Sequence, residues 1–347
     1  HLNSAVNPKD EYASIGARAL TGSTYKGHVF WDTEIYLLPF YTFTDPPAAR
    51  ALLQYRFHTL PAARDRARRL GYQGALFAWE SADTGEDVTP DTVIAPDGRV
   101  VQVLTGIQEH HISADVAYAV WQYWQATADE AFFLAAGADI LIETARFWAS
   151  RGRLEPDGQY HIRTVIGPDE YHESVDDNAY TNVMAQWNLE RAADTVDWLR
   201  SRRSGAWPTL CVRLQVRPDE PDSWRRTAEL MTTGFDRPTN LFEQFSGFFQ
   251  LEEVELQAYR TLPVPIDVTL GRDRTQKSKV VKQADVVALS ALLWERFPSA
   301  VHEANFRYYE PRTAHGSSLG PALHALVSAR LGDSGLAARY FRDAAAI

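Results

Sequence analysis

Seven segments of this chain carry apolar side chains at the 3.6-residue spacing of an amphipathic helix, and Gly or Pro breaks separate them. Residues 47–70 form one long segment. In residues 113–127 the repeat runs through Ala114, Val116, Ala117, Val120, Trp121 and Trp124. In residues 130–151 it runs through Phe133, Leu134, Leu141, Ile142, Ala145 and Trp148. Met184, Trp187, Leu189 and Trp198 mark residues 177–202, and residues 279–297, 319–331 and 335–346 complete the set. Turns are predicted at Gly71, Gly74, Gly85, Pro90, Pro96 to Gly98, Pro156 to Gly158, and Gly332. The Pro156-Asp157-Gly158 turn lies between short β-like pieces, which predicts a small hairpin. With mean helices of about 11 to 12 residues, roughly twelve helices and their connections fill 347 residues. The pattern predicts an all-α fold, a helical barrel with small β-hairpins in its loops, in one domain across residues 1–347. The long loops at 76–105 and 235–274 are where function is expected.

Charge narrows the partners. The formal net charge is -10, which argues against nucleic acid and against a membrane surface. No uninterrupted apolar run approaches a membrane span, and no secretory leader is read at His1. Cys211 is the single cysteine, so no intrachain disulfide is available, and a reducing cytoplasm is expected. Its plain reading is a small packed hydrophobe. Ten Trp and 15 Tyr against 2 Met suit either a large core or a sugar-binding surface. The start at His1 and the stop at Ile347 are those expected of the central piece of a longer protein.

Four motifs carry chemistry. Residues 165–172 (VIGPDEYH) set Asp169 and Glu170 just after a Gly-Pro break. A carboxyl kept protonated by burial and like-charged neighbours can protonate a departing glycosidic oxygen. Asp169, Glu173, Asp176 and Asp177 supply acidic neighbours; the same residues also read as a helix start. Trp31-Asp32 and Trp79-Glu80 each join a ring to a carboxylate, a pair that suits a sugar face and equally a core aromatic beside a surface acid. Lys282-Gln283 enters an apolar helical pattern, where polar groups need partners, unless the helix face is solvated. His315-Gly316-Ser317-Ser318 offers hydroxyls, an imidazole and backbone N–H groups before a helix at Leu319, a cradle for a tetrahedral anion or a simple Ser N-cap. No phosphate-binding Gly-Lys loop, dinucleotide fingerprint or paired-Cys motif is present, and adjacent His110 and His111 diverge too far to pair on a metal.

Read in order, residues 27–34 (GHVFWDTE), 79–85 (WESADTG), 112–115 (ISAD), 165–172, 178–182 (NAYTN), 282–285 (KQAD) and 309–318 (YEPRTAHGSS) resemble glycoside hydrolase family 65, the inverting disaccharide phosphorylases. The resemblance spans nearly the whole chain. It implies an (α/α)6 barrel that normally follows a β-sandwich and precedes a small β domain, neither of which is seen here. It implies Glu170 as general acid. Trp31, Asp32, Lys282 and Gln283 then bind glucose, with Trp79 and Glu80 lining the same pocket. His315, Gly316, Ser317 and Ser318 hold phosphate. Gly320 departs from the Ser expected in that motif.

The implied reaction is inverting phosphorolysis of an α-linked glucose disaccharide, trehalose- or kojibiose-like, to β-glucose 1-phosphate and glucose. Inorganic phosphate is co-substrate, no metal or cofactor is called for, and a homodimer is left open. Two other readings stand beside it. A hydrolase of the same α-glucosides would need a second carboxylate to activate water, with Glu310 the nearest candidate in sequence. A non-catalytic carbohydrate-binding barrel would need only the aromatic–acid pairs.

Overall fold

The computed structural model describes residues 1–94, 98–259, 264 and 266–346. The turn predicted at Pro96 to Gly98 lies partly outside the described residues. Among the described residues helices dominate, and three short two-stranded pairs decorate them. Backbone contacts divide the chain into two compact units, residues 1–160 with 184–231, and residues 161–183 with 232–347.

In the first unit the segment predicted as one helix over residues 47–70 is two, Pro46–His58 and Leu60–Arg69. Asp45 caps the first by accepting from Ala48 N. Pro61 lies in the first turn of the second, where its missing N–H costs nothing. Ile112–Thr127 ends at Ala128, which adopts a left-handed φ of 54°. Asp129 then caps the next turn, and a π-helical turn, Phe133–Gly137, leads into Ala138–Arg151. Those two long helices pack together and bury Val116, Val120, Ile140, Leu141 and Trp148. Each such side chain contributes about 1.5 to 3 kcal/mol. The hairpin predicted at Pro156 to Gly158 is present, with Glu155 N donating to Gln159 O at 2.9 Å.

The second unit centres on Val286–Leu292, which packs against Ser299–Tyr309 and Leu319–Arg330; the latter also carries Ser334–Ala346. The helix predicted over residues 279–297 begins only at Val286. Residues 280–285 form a bridge followed by bends instead, because Val281 is bridged in parallel to Thr313. The β-branched pair Val280 and Val281 suits that bridge.

Candidate functional site

In the second unit, residues 165–175 form a closed loop pinned by Val165 and Val175, each donating its N–H to the other's carbonyl at 2.9 Å. The loop contains no helix, and the next helix starts only at Ala179. Asp169 and Glu170 are therefore not a helix cap. Gly167 is required by crowding: a Cβ there would meet Asn178 Nδ2 at 2.4 Å and Asp285 Oδ2 at 2.6 Å.

Asp169 is buried and holds the loop together. Its Oδ1 accepts from Lys282 N at 2.7 Å and Tyr171 N at 3.3 Å. Its Oδ2 accepts from Gln244 Nε2 at 2.8 Å and His172 Nδ1 at 2.6 Å. His172 Nε2 faces Ser278 O at 2.8 Å, so both ring nitrogens point at acceptors. Burial opposes charge on that ring, yet Asp169 and the carbonyl hold its pKa above the usual value.

Glu170 leaves this buried knot and is half-exposed. Its Oε2 lies 2.9 Å from Lys282 Nζ. The acidic neighbourhood read from the sequence is thus corrected. Glu173 pairs with Arg272, while Asp176 and Asp177 pair with Arg163, and Asp177 also meets His161. The charge beside Glu170 is a cation.

The non-helical residues 281–285 explain the Lys-Gln pair. Gln283 Nε2 donates to Pro168 O at 2.7 Å, so its partner is the acid loop. On the other side Ala314 N donates to Val281 O at 2.7 Å and Gly316 N to Lys282 O at 2.9 Å. Residues 168–170, 282–283 and 313–316 are thereby one hydrogen-bonded set. Gly316 is needed against Tyr171, whose Oη a Cβ would approach to 2.8 Å. His315 takes a left-handed φ of 53°. Ser317 Oγ accepts from Leu319 N at 3.3 Å, whereas Ser318, at the N-cap of Leu319–Arg330, makes no side-chain cap bond. That helix points its positive end at residues 315–318.

The first unit gathers the aromatic–acid pairs. Val29 and Ser81 bridge, bringing Trp31 and Trp79 within 6.5 Å of each other. Both rings are buried, at 1% and 4% exposure. Glu80 Oε2 meets His28 Nδ1 at 2.7 Å, and burial raises the Glu80 pKa against that bond. Asp32 stands at the head of a π-helical turn, Thr33–Leu37. Under the indoles lies His111, edge-on to Trp31 at 4.7 Å and to Trp79 at 5.4 Å. Its Nδ1 pairs with Asp115 at 2.6 Å and its Nε2 with Glu109 at 3.3 Å. Burial works against the charged ring, but the two carboxylates push its pKa up to about 10. His110 points elsewhere and accepts from Arg151 Nε at 3.0 Å.

A model of the glycosyl hydrolase family 65 central catalytic domain matches residues 1–347. The chain belongs to that family. It is 43% identical to a kojibiose phosphorylase of Halothermothrix orenii over 350 aligned positions, covering 100% of this chain and 45% of that protein. It is 34% identical to an alpha,alpha-trehalose phosphorylase of Thermoanaerobacter brockii, covering 98% of this chain and 43% of that one. A solved structure named "Putative kojibiose phosphorylase from human microbiome" superposes with a TM-score of 0.86 at 30% identity, over 98% of this chain and 48% of that chain. The chain spans less than half the length of the curated relatives it matches. With this likeness the fold class is the (α/α)6 helical barrel expected from the sequence.

The second unit brings together Glu170, Lys282, Gln283, His315 and Gly316, and the first brings together Trp31, Asp32, Trp79 and Glu80. Three contributors escaped the sequence reading. Asp169 is a hub and not only a tuning neighbour. Buried Arg56 grips Glu34 through two bonds of 2.7 Å just after Asp32. The third is the charged His111 beneath the indoles. A buried acid and base far apart in sequence leave no local signal; His111 and Asp115 at helical spacing were the one legible hint.

Proposed function

We propose that this chain is the catalytic domain of a longer cytoplasmic protein that phosphorolyses an α-linked glucose disaccharide with inversion. Glu170, released from Lys282 as that ammonium turns to the sugar, gives its proton to the glycosidic oxygen as that bond breaks. A phosphate oxygen attacks C1 from the opposite face and forms the new C–O bond of β-glucose 1-phosphate. The released sugar is glucose. Trp31, Asp32, Trp79, Glu80, Lys282 and Gln283 bind the transferred glucose, and residues 315–318 hold phosphate. Phosphate is itself the nucleophile, so no protein base activates water.

The observation that carries this reading is the bonded set of Glu170, Lys282 and Gly316, an acid and a cation against the start of the anion motif. Glu310, the one carboxylate suggested for a hydrolase, already accepts from Tyr340 at 2.6 Å and Arg339 at 3.1 Å. Relatives named kojibiose phosphorylase are 41 to 43% identical and those named trehalose phosphorylase 34 to 35%, so kojibiose is the first substrate to try.

The test is a panel of α-linked glucose disaccharides with and without phosphate. Glucose 1-phosphate formed only with phosphate supports the reading, and phosphate-independent glucose release sinks it.

A further inference from the structure

We propose that Tyr340 and Glu310 form a relay that fixes the tautomer and orientation of the His315 imidazole for the phosphate co-substrate. The proposal rests on the phosphate reading of residues 315–318 given above. It concerns a residue far down the chain, on the helix Ser334–Ala346, whose only buried side chain among the described residues is Tyr340.

The geometry runs in one direction. Tyr340 Oη donates to Glu310 Oε1 at 2.6 Å, and Arg339 Nη2 donates to the same oxygen at 3.1 Å. A phenol has one proton, and the short contact to a carboxylate claims it. Burial and Glu310 both raise the pKa of Tyr340, so the proton stays on the phenol at any working pH. Toward His315 the oxygen therefore presents only a lone pair. His315 Nε2 lies 3.2 Å away and must be the N–H donor. That choice makes Nδ1 the nitrogen whose protonation can change.

The surroundings fit this role. Nδ1 is the atom that a Cβ on residue 320 would approach to 3.0 Å, so glycine at this position spares it a close contact. The next ring, His324, lies 4.6 Å from His315. Burial pushes its pKa down to about 4, and its Nδ1 donates to Gly320 O at 2.9 Å. No second imidazolium competes from below. An imidazolium at His315 would carry its second proton on Nδ1, beside Gly320 in the first turn of Leu319–Arg330, while Glu310 balances it through Tyr340. The neighbouring Leu319–Arg330 N-terminus favours an anion. Tyr340 and Glu310 are positioning residues, acting only through His315.

Tyr340→Phe removes one oxygen and keeps the ring packed against His315 and His324. The expected result is a KM for phosphate raised about tenfold or more, a KM for disaccharide within about twofold of wild type, and a similar unfolding midpoint. Glu310→Gln keeps an acceptor for Tyr340 and should show a smaller rise. In ¹⁵N-histidine spectra the His315 signal, identified by its loss in His315→Asn, should report Nε2–H in the wild type. That bias should disappear in Tyr340→Phe. An unmoved phosphate KM in Tyr340→Phe, both KM values rising in step, or an unchanged tautomer would each overturn the relay. Absence of phosphate-dependent turnover in the wild-type protein would instead overturn the phosphorolysis reading.

Discussion

Asp169 and Glu170 are adjacent, yet their substitution should have opposite consequences. Asp169 is 1% exposed and balances the charged His172 ring while accepting four hydrogen bonds. Asp169→Asn leaves that imidazolium uncompensated, which costs about 3 to 5 kcal/mol. Urea unfolding measures it, and a change under about 1 kcal/mol would refute the hub. Glu170 keeps a 30% exposed side chain, and its ion pair with Lys282 adds little stability. Glu170→Gln should therefore leave the unfolding midpoint in place while lowering kcat by about 10² to 10⁴. An unchanged rate would remove Glu170 from the acid role. The sequence placed both residues correctly on a bend, because Gly167-Pro168 forbids a continuing helix. It could not separate their roles, since the partners Gln244, Lys282 and Asp285 lie at least 75 residues away.

At the scale of elements, 3.6-residue spacing located helices well where one face meets a core. Residues 113–127 and 319–331 differ from Ile112–Thr127 and Leu319–Arg330 by a residue at one end. Leu141 lies at the contact of two such helices, and Leu141→Ala should cost about 2 to 5 kcal/mol in thermal or urea unfolding. Spacing failed at residues 279–285, where pairing with the 313–316 segment overrides local preference. Four buried histidines give these elements a pH signature: burial holds His110 and His324 below the usual value, and carboxylate partners hold His111 and His172 above it. His324 is depressed from 6.5 to about 4, so the unfolded chain takes up a proton that the folded one refuses. Stability from this group is present above about pH 6.5 and falls, by on the order of 3 kcal/mol, as pH drops toward 4. His111 is raised from 6.5 to about 10, with the opposite sign. Its contribution is full below about pH 6.5 and is lost as pH rises toward 10. Urea midpoints across pH 4 to 10 should fall on both sides. His324→Asn should lessen the acid-side fall, which His110 shares, and leave the alkaline side in place; an acid limb as steep as in the wild type would refute the assignment.

For the whole molecule, the single cysteine makes a direct prediction: adding reductant should not move the unfolding midpoint, because no intrachain disulfide can form. A shift of several degrees would contradict it. The family and helical class were legible because long motifs and amphipathic periodicity are local, each set by a few consecutive residues. The sequence by itself therefore determined the family and the helical class, and it singled out the candidate residues. Only the tertiary structure decided how each is used. It turned Asp169 inward, set Lys282 beside Glu170, occupied Glu310 with Tyr340, and laid Tyr340 against His315. Those pairings join residues 25 to 113 positions apart, and a hydrogen bond between them exists only once packing has brought the backbones together.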